Sequence, residues 1–457
     1  MSEVVQKVDQ LVENAKKALE VMWTLNQEQV DKIVHNMSVA GAANAQKLAQ
    51  LGIDETGMGN LEHQTFKNWA STELLWEMQL EGKKSVGIIG EKDGIIEVAE
   101  PFGIVVAVTP MPHPGSNPLF KCLTALKGRN VLIVAYHPGA KESSIATCRV
   151  MRDAAIAAGA PENCIQWIEE PSMDATSYLM KHPKVNMVAA TGGGALVRAA
   201  YSSGHPALGV GPGNCPAYID KTANLSASVN TIIASKTFDN GSICSSEQVL
   251  IFDDKAVADE TLKLFSERGA YLCNEEEKAK LLAVMFDLER GVPSIQIVAK
   301  SAIKIAELAG LNVPEDTKLL LVPVKEIGPA DYMSHEKLSP VLGWYVADGK
   351  DAAIKAAVAV LDFGGAGHTA AIHSHDEDLM TEYGMAVPAG RVLFNQGSAP
   401  GSFGTYNPAI GLTFMIGCGS RGGNIFSENI TYKHMLNIKR MVRRASPQTD
   451  EDNFGKR

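Results

Sequence analysis

Between residues 101 and 220, short apolar runs alternate with segments of helical periodicity, and that alternation restricts the chain to an α/β fold. The runs at 103–108, 130–134 and 185–190 are short and almost uniformly apolar, the pattern of strands buried on both faces. The segments that follow, 116–127, 142–158 and 195–203, repeat their apolar residues at helical spacing. Strand, helix, strand in this order predicts a parallel sheet flanked by helices. A second alternating block runs from about 221 to 410. A glycine-rich stretch covers 412–430, a helix is expected over 431–443, and the last dozen residues are polar and expected to fray.

The first 80 residues read as helices. Val8, Leu11, Val12, Ala15 and Leu19 fall on one face, and Asn26 is placed to cap a second helix carrying Val30, Ile33, Val34 and Met37. Residues 86–90 and 94–98 flank Glu91-Lys92-Asp93 and predict a hairpin over 85–100.

At 457 residues the chain exceeds what one core can hold, so two or three units are expected. A net charge of −10 argues against nucleic acid and leaves any anionic ligand to local donors. The seven cysteines form no Cys-x-x-Cys pair, and there is no His-Glu-x-x-His, so neither a disulfide framework nor a metal is expected. No apolar run approaches the ~20 residues needed to cross a bilayer, and residues 1–7 lack a signal core. The expectation is a cytoplasmic protein with no membrane partner.

Chemistry concentrates in a few loops. Phe238-Asp239-Asn240-Gly241-Ser242-Ile243-Cys244 sets a cysteine in a polar turn just ahead of the apolar run 249–252. A thiol presented there can attack an electrophile; it can equally be a small hydrophobe at a strand end. Thr191-Gly192-Gly193-Gly194 joins a strand to a helix, as a phosphate-binding turn or simply a tight connection. The glycine loop around Gly211 permits close backbone approach, or is a crossover. Glu336 precedes a turn and strand, and a carboxylate there suits a ribose diol, although most glutamates are only solvated. His368 sits on a glycine turn, and Arg421 lies in the loop 417–424; either loop can line a pocket or be structural.

In this order, these segments resemble the aldehyde dehydrogenase superfamily in its coenzyme-A-acylating branch, over nearly the whole chain. The Cys244 loop and Gly417–Asn424, followed by Ser427-Glu428-Asn429, are similar to the aldehyde dehydrogenase half of the bifunctional acetaldehyde/alcohol dehydrogenases. The resemblance implies a Rossmann-type dinucleotide unit over 1–220 that includes the hairpin at 85–100. It implies a catalytic α/β unit over 221–411 carrying Cys244, and a return segment with an oligomerisation tail over 412–457. It makes Cys244 the nucleophile. It seats the coenzyme at Thr191, Gly192, Gly193, Gly194 and Gly211, the nicotinamide-side ribose at Glu336, and the adenine-side ribose near His137. Strands that pair across subunits imply a homodimer or homotetramer.

Hydrolytic members carry a Glu-Leu-Gly-Gly-Lys motif whose glutamate activates water. Residues 209–213 of this chain read Gly-Val-Gly-Pro-Gly in its place. An acyl-enzyme on Cys244 should then await a thiol, with coenzyme A as acceptor and NAD or NADP as oxidant. Two departures bear on the substrate. His113 stands where the family has an oxyanion asparagine, and Arg421 stands where acetaldehyde-forming relatives have tryptophan. With His368, these two residues predict a pocket for a small anionic aldehyde, sulfoacetaldehyde first, with acetaldehyde as the rival. A non-catalytic scaffold of the same fold is the rival of another class.

Overall fold

A computed structural model describes residues 3–445. Among the described residues, three larger sheets and one two-stranded ribbon, Phe286–Asp287 with Val292–Pro293, organise the chain. The first is five-stranded and wholly parallel, in the spatial order Ile165–Trp167, Val131–Tyr136, Ile104–Thr109, Met187–Thr191, Ala207–Val210. Chain order reverses between Ile104–Thr109 and Met187–Thr191, and ligands of such sheets bind outside the carboxyl ends of the strands at that point. The helices Ser116–Lys127, Lys141–Ala157 and Gly194–Tyr201 lie where their periodicity predicts.

The second sheet is seven-stranded and also parallel, with Glu247–Phe252 at its centre between Cys215–Ile219 and Val341–Val346. Gly367–His373 and the edge strand Ala389–Phe394 extend it on the Cys215–Ile219 side. The crossing between the two sheets therefore lies at 211–214, a few residues before the expected boundary at 220. After the second sheet the chain returns to the first. Leu412, Met415, Ile416, Ile430, Tyr432 and Met435 join the core of the five-stranded sheet.

The N-terminal helices Glu3–Thr24 and Gln27–Ala43 cover that core with Val8, Val12, Ala15 and Met22, then Val30, Ile33, Val34 and Met37. Asn26 caps the second helix, accepting from Gln29 N while the Gln29 side chain accepts from Asn26 N. The predicted hairpin is present as Gly87–Lys92 and Ile95–Pro101.

The expected helix over 431–443 is not formed. A short turn at Tyr432–Met435 leads into the strand Leu436–Val442, which pairs antiparallel with Ile95–Pro101 along its whole length. The open edge of the hairpin supplies a ladder that local helical spacing cannot match, and ion pairs Lys439–Glu100 and Arg440–Glu97 fix the register. The polar C-terminal residues expected to fray lie outside the described residues. No helix among the described residues is long and apolar enough to cross a membrane, and no group of three or more His, Cys, Asp or Glu among them is arranged to hold a metal ion.

Candidate active site

Cys244 ends a loop that is tied down from several sides. Asp239, Asn240 and Gly241 all take positive φ, of 49°, 52° and 67°. Asp and Asn tolerate this region better than other side chains, and Gly241 must be glycine because a Cβ would lie 2.5 Å from Ser339 backbone. The Asp239 carboxylate accepts from Asn60 N (3.0 Å), Gln64 Nε2 (3.0 Å) and Ser242 Oγ (2.6 Å), and it pairs with Lys67. The Asn240 amide donates to the carbonyls of Gly59 and Ala299. The loop thus holds the cysteine in one place before the strand Glu247–Phe252 begins.

The Cys244 sulfur lies 3.2 Å from His368 Nε2, and His368 Nδ1 lies 3.0 Å from Thr369 Oγ1. His368 stands at the start of the strand Gly367–His373, which is separated from Glu247–Phe252 only by Cys215–Ile219. Arg391 holds this strand by donating to the His368 carbonyl at 3.0 Å and to the Gly417 carbonyl at 2.6 Å. Burial, and then the ionisable neighbours Glu336 and Cys418, push the Cys244 thiol up. Burial, and then Arg391, lower His368 to about 3. The resting pair is a neutral thiol beside a neutral imidazole able to take its proton.

A cavity of about 40 Å³ opens beside the sulfur. Ile243, Phe403, Phe414 and Ile416 make its walls apolar, while Lys67 and His113 supply polar atoms. Asn117 also lines it, and its Oδ1 is buried without a partner, an acceptor left for a ligand N–H or O–H. Thr191 reaches the same cavity, and its hydroxyl accepts from Lys121 Nζ at 3.1 Å.

The glycine loop that carries Gly211 and Gly213 meets this centre from another side. Gly213 N donates to Glu336 Oε1 at 2.9 Å, and a Cβ at Gly213 would lie 2.1 Å from the Cys244 carbonyl oxygen. Burial raises the Glu336 carboxyl to about 8. A second cavity, of about 430 Å³, lies next to the helix start at Gly194 and is lined by Gly211, Arg198 and Arg421. Positions 193 and 211 face open space where a Cβ would stand, so backbone is free to meet a bulky group there.

Arg421 is exposed on this larger cavity and does not line the one beside Cys244. Its loop takes left-handed backbone at Gly419 (φ 58°) and Gly423 (φ 68°) on either side of Arg421. His368 approaches the sulfur itself rather than a substrate wall, and His113 lines the small cavity as expected from its position. Gly192 and Gly193 lead into the helix as predicted. His137 lies exposed just past the end of the strand Val131–Tyr136, with Nδ1 accepting from Gly139 N at 3.0 Å. The sequence reading missed Lys67, Asp239 and Arg391. A polar stripe at 64, 67, 68 and 71 in the N-terminal helices was the only local signal of the first.

A parallel nucleotide-type sheet, a second parallel sheet, and a cysteine on the loop between their ligand faces define an aldehyde dehydrogenase architecture. The sequence profile of the aldehyde dehydrogenase family matches residues 3–279. The chain belongs to that family, in its acylating branch. It is 43% identical over 453 residues to aldehyde-alcohol dehydrogenase 2 of Entamoeba histolytica, covering 96% of this chain and 52% of that one. It thus spans about half the length of that relative. It is 37% identical to a sulfoacetaldehyde dehydrogenase from Acholeplasma sp, over 97% of this chain and 93% of the relative. The crystal structure of an acetylating aldehyde dehydrogenase from Geobacillus thermoglucosidasius superposes with a TM-score of 0.94 at 39% identity, covering 98% of this chain and 99% of that one.

Proposed function

We propose that the protein oxidises a small aldehyde to its coenzyme A thioester, with NAD or NADP as oxidant and Cys244 as nucleophile. The observation that carries this reading is the 3.2 Å contact between Cys244 Sγ and His368 Nε2 at the mouth of a cavity sized for a few heavy atoms. His368 takes the thiol proton as the sulfur adds to the carbonyl carbon. The carbonyl π electrons move to oxygen, and backbone N–H groups at the cysteine and a His113 ring N–H steady that oxyanion. A nicotinamide coenzyme bound at this site would supply the hydride acceptor, and loss of the hydride from the adduct would leave a thioester on Cys244. Thr191, Gly193, Gly194 and Gly211 would hold the coenzyme phosphates, Glu336 the nicotinamide-side ribose, and His137 the adenine side.

Residues 209–213 carry no carboxylate to activate water, so the thioester waits for a thiol. Coenzyme A is that thiol, and His368, protonated in the first half-reaction, must be returned to its neutral form to assist the second. Arg198 and Arg421 line the larger cavity, where phosphate groups of either coenzyme would lie.

The small apolar cavity favours a neutral aldehyde such as acetaldehyde, because Arg421 stands outside it. Sulfoacetaldehyde is the second reading, supported by the Lys67 ammonium on the cavity wall and by the relative from Acholeplasma sp. We place the protein in a homodimer or homotetramer, since the edge strand Ala389–Phe394 and the three-stranded sheet both offer unpaired ladders. The test is a burst measurement. Without coenzyme A, reduced cofactor should appear at roughly one equivalent per active site and then nearly stop. Sustained formation of free acid, or a full burst from Cys244→Ala, would refute the reading.

A further inference from the structure

The steps of the reaction leave one buried charged group beside the reacting atoms without a part in them. Lys67, on the helix Leu61–Trp69, is 2% exposed and lines the cavity next to Cys244. Its ammonium pairs with Asp239 and lies 2.9 Å from His113 Nδ1.

We propose that Lys67 is a positioning residue that sets the tautomer of His113, so that the ring presents Nε2–H to the cavity as its hydrogen-bond donor. The proposal rests on the reading of His113 as an oxyanion donor and explains how a titratable ring performs a task that an amide performs elsewhere in the family.

An ammonium has three N–H donors and no acceptor. Facing it, Nδ1 must accept and cannot carry a proton. The single proton of a neutral imidazole then sits on Nε2. The carbonyls of Pro112 and Ser242 also lie near the ring; both are acceptors, so they favour a ring N–H and compete at rest for the proton that an oxyanion would draw on. Burial and the neighbouring Lys67 charge keep the ring neutral by lowering its pKa well below the usual range.

Lys67 can do this only while it is charged. Burial works against that charge and Asp239 works for it. Asp239 is itself fixed by Gln64, Ser242 and the Asn60 N–H, so the carboxylate, the ammonium and the imidazole form one oriented chain. Asp239 belongs to the cysteine loop and Lys67 to the N-terminal helices, so the chain also ties the donor's orientation to the nucleophile's position.

The tautomer can be read in the wild-type protein by nitrogen NMR of histidine-labelled enzyme, which needs no substitution and no turnover. The expected result is a pyrrole-type Nε2 and a pyridine-type Nδ1 for His113. A protonated Nδ1, in an enzyme whose burst depends on His113, overturns the proposal and leaves the oxyanion reading standing. An unchanged burst from His113→Phe instead overturns the oxyanion reading, and with it the task assigned to Lys67.

Kinetics supply the second arm. The charge-balanced pair Lys67→Met with Asp239→Asn should lower the burst rate about tenfold or more, within the range of losing one oxyanion donor, with little change in aldehyde KM. In a His113→Asn background the donor is an amide with no tautomer to set, and the same pair should cost less than about threefold. An equal loss in both backgrounds would show a purely structural pair and refute the proposal.

Discussion

Replacing His368 with alanine tests the centre of the site. The wild-type sulfur has a proton acceptor at 3.2 Å, and that acceptor stays neutral down to about pH 3. The thiol itself is pushed up by burial and by Glu336, so spontaneous ionisation near neutrality is rarer than for a free cysteine. Without the imidazole, attack must draw on that small thiolate population. A positioned general base contributes roughly 10²–10⁴-fold when its pKa lies near the operating pH; burial makes His368 a weak base, so the burst rate of His368→Ala should fall toward the lower end of that range, about 10²-fold. The pH profile should also change. A neutral base is available across the whole range above about pH 3, so the wild-type burst should be nearly flat around neutrality. In the variant, each pH unit below the thiol pKa costs one decade of thiolate, so the rate should rise about tenfold per unit. Stopped-flow measurement of reduced nicotinamide, without coenzyme A, reads both effects. A burst within about threefold of wild type, or a flat profile in the variant, would show that His368 does not take the proton.

Three further outcomes are expected. Gly213→Ala places a Cβ 2.1 Å from the Cys244 carbonyl oxygen, more than about 1 Å inside ordinary contact, and should cost roughly 10² in kcat; unchanged steady-state kinetics would show that the loop yields freely. The Glu336 carboxyl is neutral below its raised pKa of about 8 and a carboxylate above it, so KM for the nicotinamide coenzyme should fall as pH rises through about 8. Glu336→Gln should remove that dependence, and a parallel profile in the variant would contradict the assignment. Arg421→Ala should raise KM for coenzyme A or the nicotinamide coenzyme about threefold to tenfold, a modest change because the guanidinium is exposed and screened; a larger effect on aldehyde KM would return Arg421 to the substrate pocket.

Much of the architecture follows from local pattern. Short apolar runs alternating with helical periodicity can bury both faces of each strand only in parallel sheets covered by helices, and both large sheets are wholly parallel. The Cys244 turn and the glycine turn after Met187–Thr191 were legible for the same reason, since turns that present a side chain or bare backbone need glycine and small polar residues at fixed offsets.

The partners of the cysteine were not legible. His368 is 124 positions from Cys244, and Lys67 is 172 positions from Asp239, so no local periodicity contains either contact. The helix Leu61–Trp69 reverses the usual inference, because Gln64, Lys67 and Asn68 are buried while Phe66 is exposed. Its polar stripe is stable inside only because the cysteine loop brings Asp239 to meet it. Likewise, residues 436–442 became a strand only once an open hairpin edge lay beside them. Local spacing records which face of an element is apolar; whether a polar face meets water or a distant charge is settled only when the chain closes on itself.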